Sequence, residues 1–247
     1  MDLPQFPYKV GVNMKDIKVT EEGAYSYTKR ADGQKTIEFL RSHLGTLKKY
    51  SILDGTGNIG GDTILFGLHF KEVQSIEMDE ENFKALKHNV ALYDLDNVHI
   101  HHGDTMKMFD QFPTNILYLD PPWGGPDYKF KKELDLYLGQ GEDAKRLDLF
   151  LQDAVLAVPK RPEYIVLKLP FNYNMFRFKE ITAFEKIHVL KIRNYRIVLI
   201  KVIKPKVSKS KTLKNKSKSR SRSRSRSKTK KIARAIAAVP NTSSSEW

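Results

Sequence analysis

Over residues 1–32 the chain shows no sustained hydrophobic period. This stretch is rich in Pro, Gly, Lys and Tyr, and it predicts an arm laid over a domain. Beyond it, short apolar runs alternate with amphipathic ones. Residues 37–50 read as a helix, 50–54 as a strand, 60–67 as a helix, 72–77 as a strand and 80–92 as a helix. Residues 98–101 and 115–120 read as further strands. A helix over about 143–157 is followed by apolar runs at 164–169, 184–192 and 195–203. The alternation predicts an α/β domain over residues 33–203, with a mostly parallel seven-stranded sheet and helices on both faces. Only Arg193 and Asn194 separate the last two runs, too few for a crossover, so these strands pair antiparallel. No repeat of 20 to 50 residues is visible.

Charge divides the chain more sharply than hydropathy does. Residues 204–247 carry 15 Lys and Arg against one acid, Glu246, which leaves residues 1–203 with 28 of each sign, so the whole net charge of +14 lies in the tail. An alternating Arg-Ser run from Ser219 to Ser227 cannot bury enough apolar surface to offset its ordering entropy, and disorder is expected there in isolation. The short apolar stretch from Ile232 to Val239 reads as a frayed end or a transient helix. The absence of cysteine excludes disulfides, a thiol nucleophile, an iron–sulfur cluster and a Cys-based zinc site. No window approaches the length of an apolar membrane span and the start lacks the features of a secretory signal, so an intracellular, soluble protein is expected.

The candidate chemistry sits at the ends of the predicted strands. The first strand ends in Asp54-Gly-Thr-Gly-Asn-Ile-Gly-Gly61, with Gly55, Gly57 and Gly60 in G-x-G-x-x-G spacing, a turn that lets a ligand approach bare backbone. Nicotinamide and flavin enzymes use the same spacing, so the turn alone decides little. Glu77 ends the second strand, where a carboxylate can accept both hydrogen bonds of a ribose diol; an exposed strand-end Glu is the alternative. Asp104 follows the third strand, where it can accept from an adenine amino group, although a plain Gly-Asp turn is equally consistent. The fourth strand runs into Asp120-Pro-Pro-Trp-Gly-Gly125, which no structural need explains. Two prolines fix the backbone and withhold N–H donors, so the Pro121 carbonyl and the Asp120 carboxylate form a pair of acceptors beside the flat face of Trp123. An exocyclic amine on a nucleobase is a poor nucleophile, because its lone pair is delocalised into the ring. Two acceptors that hold its N–H groups, with an aromatic ring under the base, aim that lone pair at a methyl donor in the glycine turn. Positioning then supplies most of the rate, and the pattern points to an amino methyltransferase.

Four stretches together resemble a known family: Asp54-Gly-Thr-Gly-Asn-Ile-Gly-Gly-Asp-Thr-Ile64, Ile76-Glu-Met-Asp79, Gly103-Asp104 and Asp120-Pro-Pro-Trp-Gly-Gly-Pro-Asp-Tyr128. They are similar to the RNA cap guanine-N2 methyltransferases, the trimethylguanosine synthase family, as is the upstream Ile17–Thr28 segment. The resemblance covers roughly residues 14–203. It implies a class I Rossmann-like fold and S-adenosylmethionine as cofactor, with no metal. Asp54, Gly55, Gly57 and Gly60 would form the cofactor turn, with Glu77 on the ribose and Asp104 near the adenine. Trp123 would stack on 7-methylguanine, whose positive charge over an indole gains about 0.5 to 2 kcal/mol. Tyr25, Ser26 and Thr28 become candidates for lining the cofactor pocket, Lys18 for meeting the cap phosphates and Asn172 for a hydrogen bond to the substrate.

Two departures bear on the substrate. The family usually carries Ser before Pro-Pro-Trp, whereas Asp120 matches the wider group that methylates adenine, cytosine or rRNA guanine amines. Leu169-Pro-Phe-Asn172 stands where Leu-Pro-Arg-Asn is usual, so an arginine expected near the phosphates is missing, with Lys168, Arg177 and Lys179 as candidate replacements. The expected activity is methylation of cap guanine N2 by a monomer. An rRNA or DNA amine methyltransferase and a non-catalytic RNA-tethering protein are the alternatives, and a nicotinamide dehydrogenase is a distant third. The tail admits salt-sensitive RNA tethering, a nuclear import signal or regulation by serine phosphorylation, and tethering with nuclear localisation is the reading favoured here.

Overall fold

The protein is described by a computed structural model over residues 5–204. The basic run and the apolar stretch after it lie outside the described residues. Helix α1 spans Glu21–Ser26 and α2 spans Arg30–Leu44, followed by strand β1 at Ser51–Asp54, α3 at Gly61–His69, β2 at Glu72–Glu77 and α4 at Glu80–Leu92. Then come β3 at Val98–His102, α5 at Thr105–Met108 and β4 at Ile116–Leu119. A short hairpin of β5 (Tyr137–Leu138) and β6 (Lys145–Arg146) leads into α6 at Leu147–Phe150. The chain closes with β7 at Tyr164–Pro170, β8 at Phe184–Ile192 and β9 at Tyr195–Val202.

Seven strands form one sheet in the order β3-β2-β1-β4-β7-β9-β8, parallel except for β9, which runs antiparallel to both its neighbours. The chain moves outward from β1 through β2 to β3 and then returns to place β4 beside β1. That reversal opens a crevice at the carboxyl ends of β1 and β4, the usual ligand position in an open α/β sheet. Arg193 supplies the positive φ of 48° that closes the β8–β9 turn.

Strand alternation sorts the core into two faces. Leu53, Leu117, Leu119, Ile165, Leu167 and Leu169 pack on one face with Leu147, Phe150 and Leu151. Ile52, Ile116, Tyr118 and Val166 pack on the other against Ile37, Leu40 and Leu44 of α2 and Leu65 and Phe66 of α3. The three-to-four residue spacing of the α2 positions makes one apolar stripe. No helix among the described residues is long and apolar enough to cross a membrane.

Three elements depart from the sequence expectation. The helix expected over 37–50 begins at Arg30 and ends at Leu44, where Gly45 at φ 74° caps it. Gly33, which reads locally as a breaker, is instead a contact point: a Cβ there would meet Leu65 Cδ2 at 2.9 Å, so its absence lets α2 lie close to α3. The helix expected over 143–157 is reduced to α6 and a π-turn from Leu151 to Val155, with the β5–β6 hairpin occupying its start. The arm holds a helix of its own, α1, whose N-cap Thr20 accepts from Gly23 N.

Candidate active site

At the end of β1 the glycine turn is bonded to the strands on either side. Gly55 N donates to Tyr118 O at 3.0 Å and Gly57 N to Ile76 O at 2.9 Å. A Cβ on Gly55 would come within 2.7 Å of Leu119 Cδ2, and one on Gly57 within 2.6 Å of Ser75 Oγ. Glycine therefore lets the turn settle onto the sheet edge and present bare backbone outward. Asp54 lies beneath it, wholly buried, accepting from Thr63 Oγ1 at 2.6 Å and Thr56 N at 3.2 Å. Burial pushes its carboxyl up to about 7.

Glu77, at the end of β2, accepts from Asn58 N at 2.6 Å and Asp79 N at 2.7 Å, which fixes its carboxyl at the cavity floor. Burial raises its pKa against those bonds. Asp104 caps α5 by accepting from Met106 N at 2.9 Å. Both keep oxygen lone pairs for a further donor.

The register gives the next feature. Leu119 pairs with Leu167, so one step further Asp120 and Lys168 come side by side on the α2–α3 face. Lys168 Nζ donates to Asp120 Oδ2 at 2.6 Å and to Thr28 Oγ1 at 3.0 Å. Thr28 in turn donates to Asp62 Oδ2 at 2.8 Å, which also accepts from the Tyr118 hydroxyl at 2.8 Å. Asp120 N donates to Thr56 Oγ1 at 2.8 Å, tying the Asp-Pro-Pro-Trp segment to the glycine turn. Burial pushes Asp120 up to about 6, with Lys168 opposing the shift. The Asp120 carboxylate raises the pKa of Lys168 in spite of burial, so the amine stays charged at neutral pH. Trp123 is half-buried, packed edge-on against Tyr128 with 4.9 Å between centroids, and Lys168 Nζ stands 5.7 Å from its ring. The indole N–H lies beside the Asp120 carboxyl and slightly lowers its pKa, but it lacks hydrogen-bond geometry, so Nε1 is buried without a protein partner.

These groups share one cavity of about 470 Å³, within the ordinary range for a small-molecule site. Of the residues singled out by sequence, Tyr25, Ser26, Thr28, Gly55, Gly57, Glu77, Asp104, Asp120, Pro121 and Trp123 line it. Four do not. Asp54 is sealed beneath the turn. Gly60 is the left-handed N-cap of α3, at φ 98°. Lys18 is held away by backbone bonds in which its N–H donates to Asn89 Oδ1 and its carbonyl accepts from Asn89 Nδ2. Asn172 spends its amide on the carbonyls of Tyr128 (2.8 Å) and Lys131 (2.9 Å), pinning the segment after Trp123. The candidate phosphate ligands also scatter: Lys168 is buried against Asp120, and Arg177 pairs with Asp135 at 2.7 Å and Glu133 at 3.6 Å.

Sequence reasoning missed Asp62, Tyr128, Tyr195 and Asn194, all of which line the cavity, and the pairing of Lys168 with Asp120. A lysine at an inward position of the apolar run Tyr164–Leu169 was the available signal. Tyr128 stood at the end of the Asp120–Tyr128 motif without a role, and Asn194 and Tyr195 gave no signal, because the three come together only when the β8–β9 turn meets the post-tryptophan segment. There Asn194 Nδ2 donates to the Tyr128 hydroxyl.

Comparison with known proteins agrees with this geometry. The family model described as RNA cap guanine-N2 methyltransferase matches residues 49–208. An uncharacterised protein of Acanthamoeba polyphaga mimivirus is 28% identical over 165 residues, covering 66% of this chain and 62% of that protein. The trimethylguanosine synthase of Schizosaccharomyces pombe is 27% identical over 165 residues, covering 64% and 62%. The chain thus spans about three fifths of the length of these curated relatives. Among solved structures, a candidate methyltransferase from Porphyromonas gingivalis superposes with a TM-score of 0.53 at 15% identity, over 74% of this chain and 42% of that one. Another, from Escherichia coli, gives 0.52 at 13% identity, over 76% and 91%. At these identities the structural likeness speaks for the fold, which is that of Rossmann-like methyltransferases.

Proposed function

The chain belongs to the RNA cap guanine-N2 methyltransferase family, and from that premise we propose that it transfers a methyl group to the exocyclic N2 of a 7-methylguanosine RNA cap. Membership of this methyltransferase family implies S-adenosylmethionine as cofactor, which supplies, when bound, an electrophilic methyl on a sulfonium sulfur. The residues present fit it, since bare glycine backbone, two anchored carboxylates and a cavity of adequate size converge at the sheet edge.

In this reading the Glu77 carboxylate accepts from the ribose hydroxyls and Asp104 from the adenine amine, with Tyr25, Ser26 and Thr28 along the same wall. Trp123 stacks on the guanine. Asp120 and the Pro121 carbonyl accept the two N–H hydrogens of N2 and aim its lone pair. Lys168 holds Asp120 Oδ2 and so turns the other carboxylate oxygen to the amine. As the C–N bond forms, the methyl's bond to sulfur would break with its electron pair staying on a neutral thioether, the nitrogen loses one proton, and the Asp120 carboxylate is the base in position to take it. A cationic 7-methylated base suits this position better than a neutral one, because the indole face of Trp123 and the Asp62 and Asp120 carboxylates lie in the same cavity. The observation that carries the proposal is the presence of Asp120, Pro121 and Trp123 in one cavity with Glu77 and Asp104.

Asp120 also favours a second reading, methylation of an exocyclic amine on an unmethylated base in rRNA or DNA, because a carboxylate there holds any such amine. For the chain as a whole we propose an arm over residues 1–32 that completes the site, a monomeric catalytic domain over 33–203 and a basic tail over 204–247 that tethers RNA in the nucleus.

Trp123→Ala and Glu77→Ala separate the two halves of the site. Trp123→Ala lowers kcat/KM for a cap analogue by roughly 100-fold, from the loss of stacking and orientation, and leaves S-adenosylmethionine affinity within about 2-fold. Glu77→Ala weakens the cofactor in titration calorimetry and spares binding of the cap analogue. Equal loss of cofactor binding in both variants would overturn the division of roles.

A further inference from the structure

Three of the 13 phenylalanines are exposed, and they lie on two mutually bonded segments, the first of which lines the cavity. Phe130 is 86% exposed, Phe176 69% and Phe171 41%. They lie on two segments, residues 126–134 and 171–180, joined by the Asn172 amide, by Leu134 N donating to Asn172 O at 2.9 Å and by the Leu134–Tyr173 bridge. Phe130 ends the short 3₁₀ helix Pro126–Phe130, whose Pro126, Tyr128 and Lys129 line the cavity. The surface therefore starts at the rim of the site.

Two of these rings already carry a cation. Lys179 Nζ lies 4.4 Å from the Phe176 centroid, and the Arg196 guanidinium lies 5.3 Å from that of Phe171. The charges around them are uncompensated for a specific reason. Arg177 engages Glu133 of the first segment and Asp135 just beyond it, while Lys129, Lys131, Lys132, Lys179 and Arg196 make no ion pair among the described residues. Arg196 Nε is buried with no partner. Asp127 and Glu180 are the remaining acids of the two segments, so positive charge dominates. Exposed rings interleaved with unpaired cations form a platform on which unstacked bases lie while the cations meet phosphates. A duplex, with its bases already stacked, gains only the electrostatic part.

We propose that the surface carrying Phe130, Phe171 and Phe176 binds the single-stranded nucleotides that continue from the base held in the cavity. The proposal deepens the cap-methylation reading and rests on it for the direction of the strand, but binding to the rings is measurable without turnover. The observation behind it is the confinement of every exposed phenylalanine, with unpaired cations, to the 126–134 segment that lines the cavity and the 171–180 segment bonded to it.

The test uses the full chain and the double variant Phe130→Ala/Phe176→Ala, with Phe171→Ala as a second variant. Anisotropy is read with a short uncapped single-stranded RNA and with a duplex of the same length. The unaltered chain is expected to prefer the single strand, and each ring removed to weaken that binding roughly 5-fold or more, while duplex binding, which the basic tail also serves, changes less than 2-fold. KM for a free cap analogue stays unchanged in the variants, and KM for a capped oligonucleotide rises in proportion to the loss of affinity. Equal single-strand affinity in variant and unaltered chains overturns the proposal and leaves these rings to a protein partner. If no cap is methylated but the anisotropy loss appears, the RNA surface stands and the cap reading fails.

Discussion

Lys168 occupies a position that strand alternation would give to an apolar side chain, between Leu167 and Leu169 and on the same face as Val166. Burying an ammonium there costs several kcal/mol unless it is paired and hydrogen-bonded, and the Asp120 carboxylate and Thr28 hydroxyl provide both. The pair is also an electrostatic control on the site. Burial drives Asp120 toward its neutral form and Lys168 draws it back, with a pKa of about 6 as the result. In the proposed mechanism only the ionised carboxylate can both hold the substrate amine and take its proton, so kcat/KM is expected to rise with pH through about 6 and then level. In Lys168→Met the opposing cation is lost, the carboxyl titrates higher, and the acidic limb of the pH profile moves upward by roughly one unit or more. Cofactor affinity above that limb is expected to fall no more than a few-fold, because Lys168 reaches the cofactor wall only through Thr28 and does not touch the Glu77 end of the cavity. A limb that does not move would mean that Asp120 is not the titrating group, or that Lys168 does not govern it.

At the scale of elements, legibility followed the source of each signal. β2, α4 and β8 were read to the residue, because each has its own periodicity and clear punctuation. The seven-stranded sheet and the antiparallel closing pair followed from the order of runs and from a connection too short for a crossover. The early start of α2 was hidden because Gly33 is explained by a neighbour, Leu65, that sequence does not place beside it. The shortened α6 was hidden because the β5–β6 hairpin and the π-turn depend on tertiary packing over the core of Leu147, Phe150 and Leu151. The same distinction holds for the site. The glycine turn, Glu77, Asp104 and the Asp-Pro-Pro-Trp segment were visible as local motifs at strand ends. Lys18, Gly60 and Asn172 were read as ligand contacts because their positions fit, yet each spends its polar groups or its backbone on holding the protein together. Only the ladder register places Lys168 against Asp120, a relation no local window contains.

On the scale of the whole chain, charge separates a formally neutral body from a basic tail. The tail holds the net charge of +14, and the tethering proposed for it would depend on counterion release, so it is expected to weaken steeply with salt and to read no sequence. Deleting residues 207–247, which keeps the ion pair of Lys204 with Glu163 at 3.4 Å, is expected to leave turnover on a free cap analogue unchanged and to raise KM for long RNA at low salt. An unchanged KM for long RNA would remove the tethering role. In the cavity of the body, the proposed arrangement is a guanine stacked on Trp123 while Asp120 and the Pro121 carbonyl steer its amino nitrogen toward the methyl donor. Mass analysis of cap analogues after incubation with S-adenosylmethionine tests it most directly. A gain of one or two methyl masses is expected on the base of the 7-methylguanosine analogue and none on its unmethylated counterpart. Equal methylation of both, or methylation of neither, would contradict it.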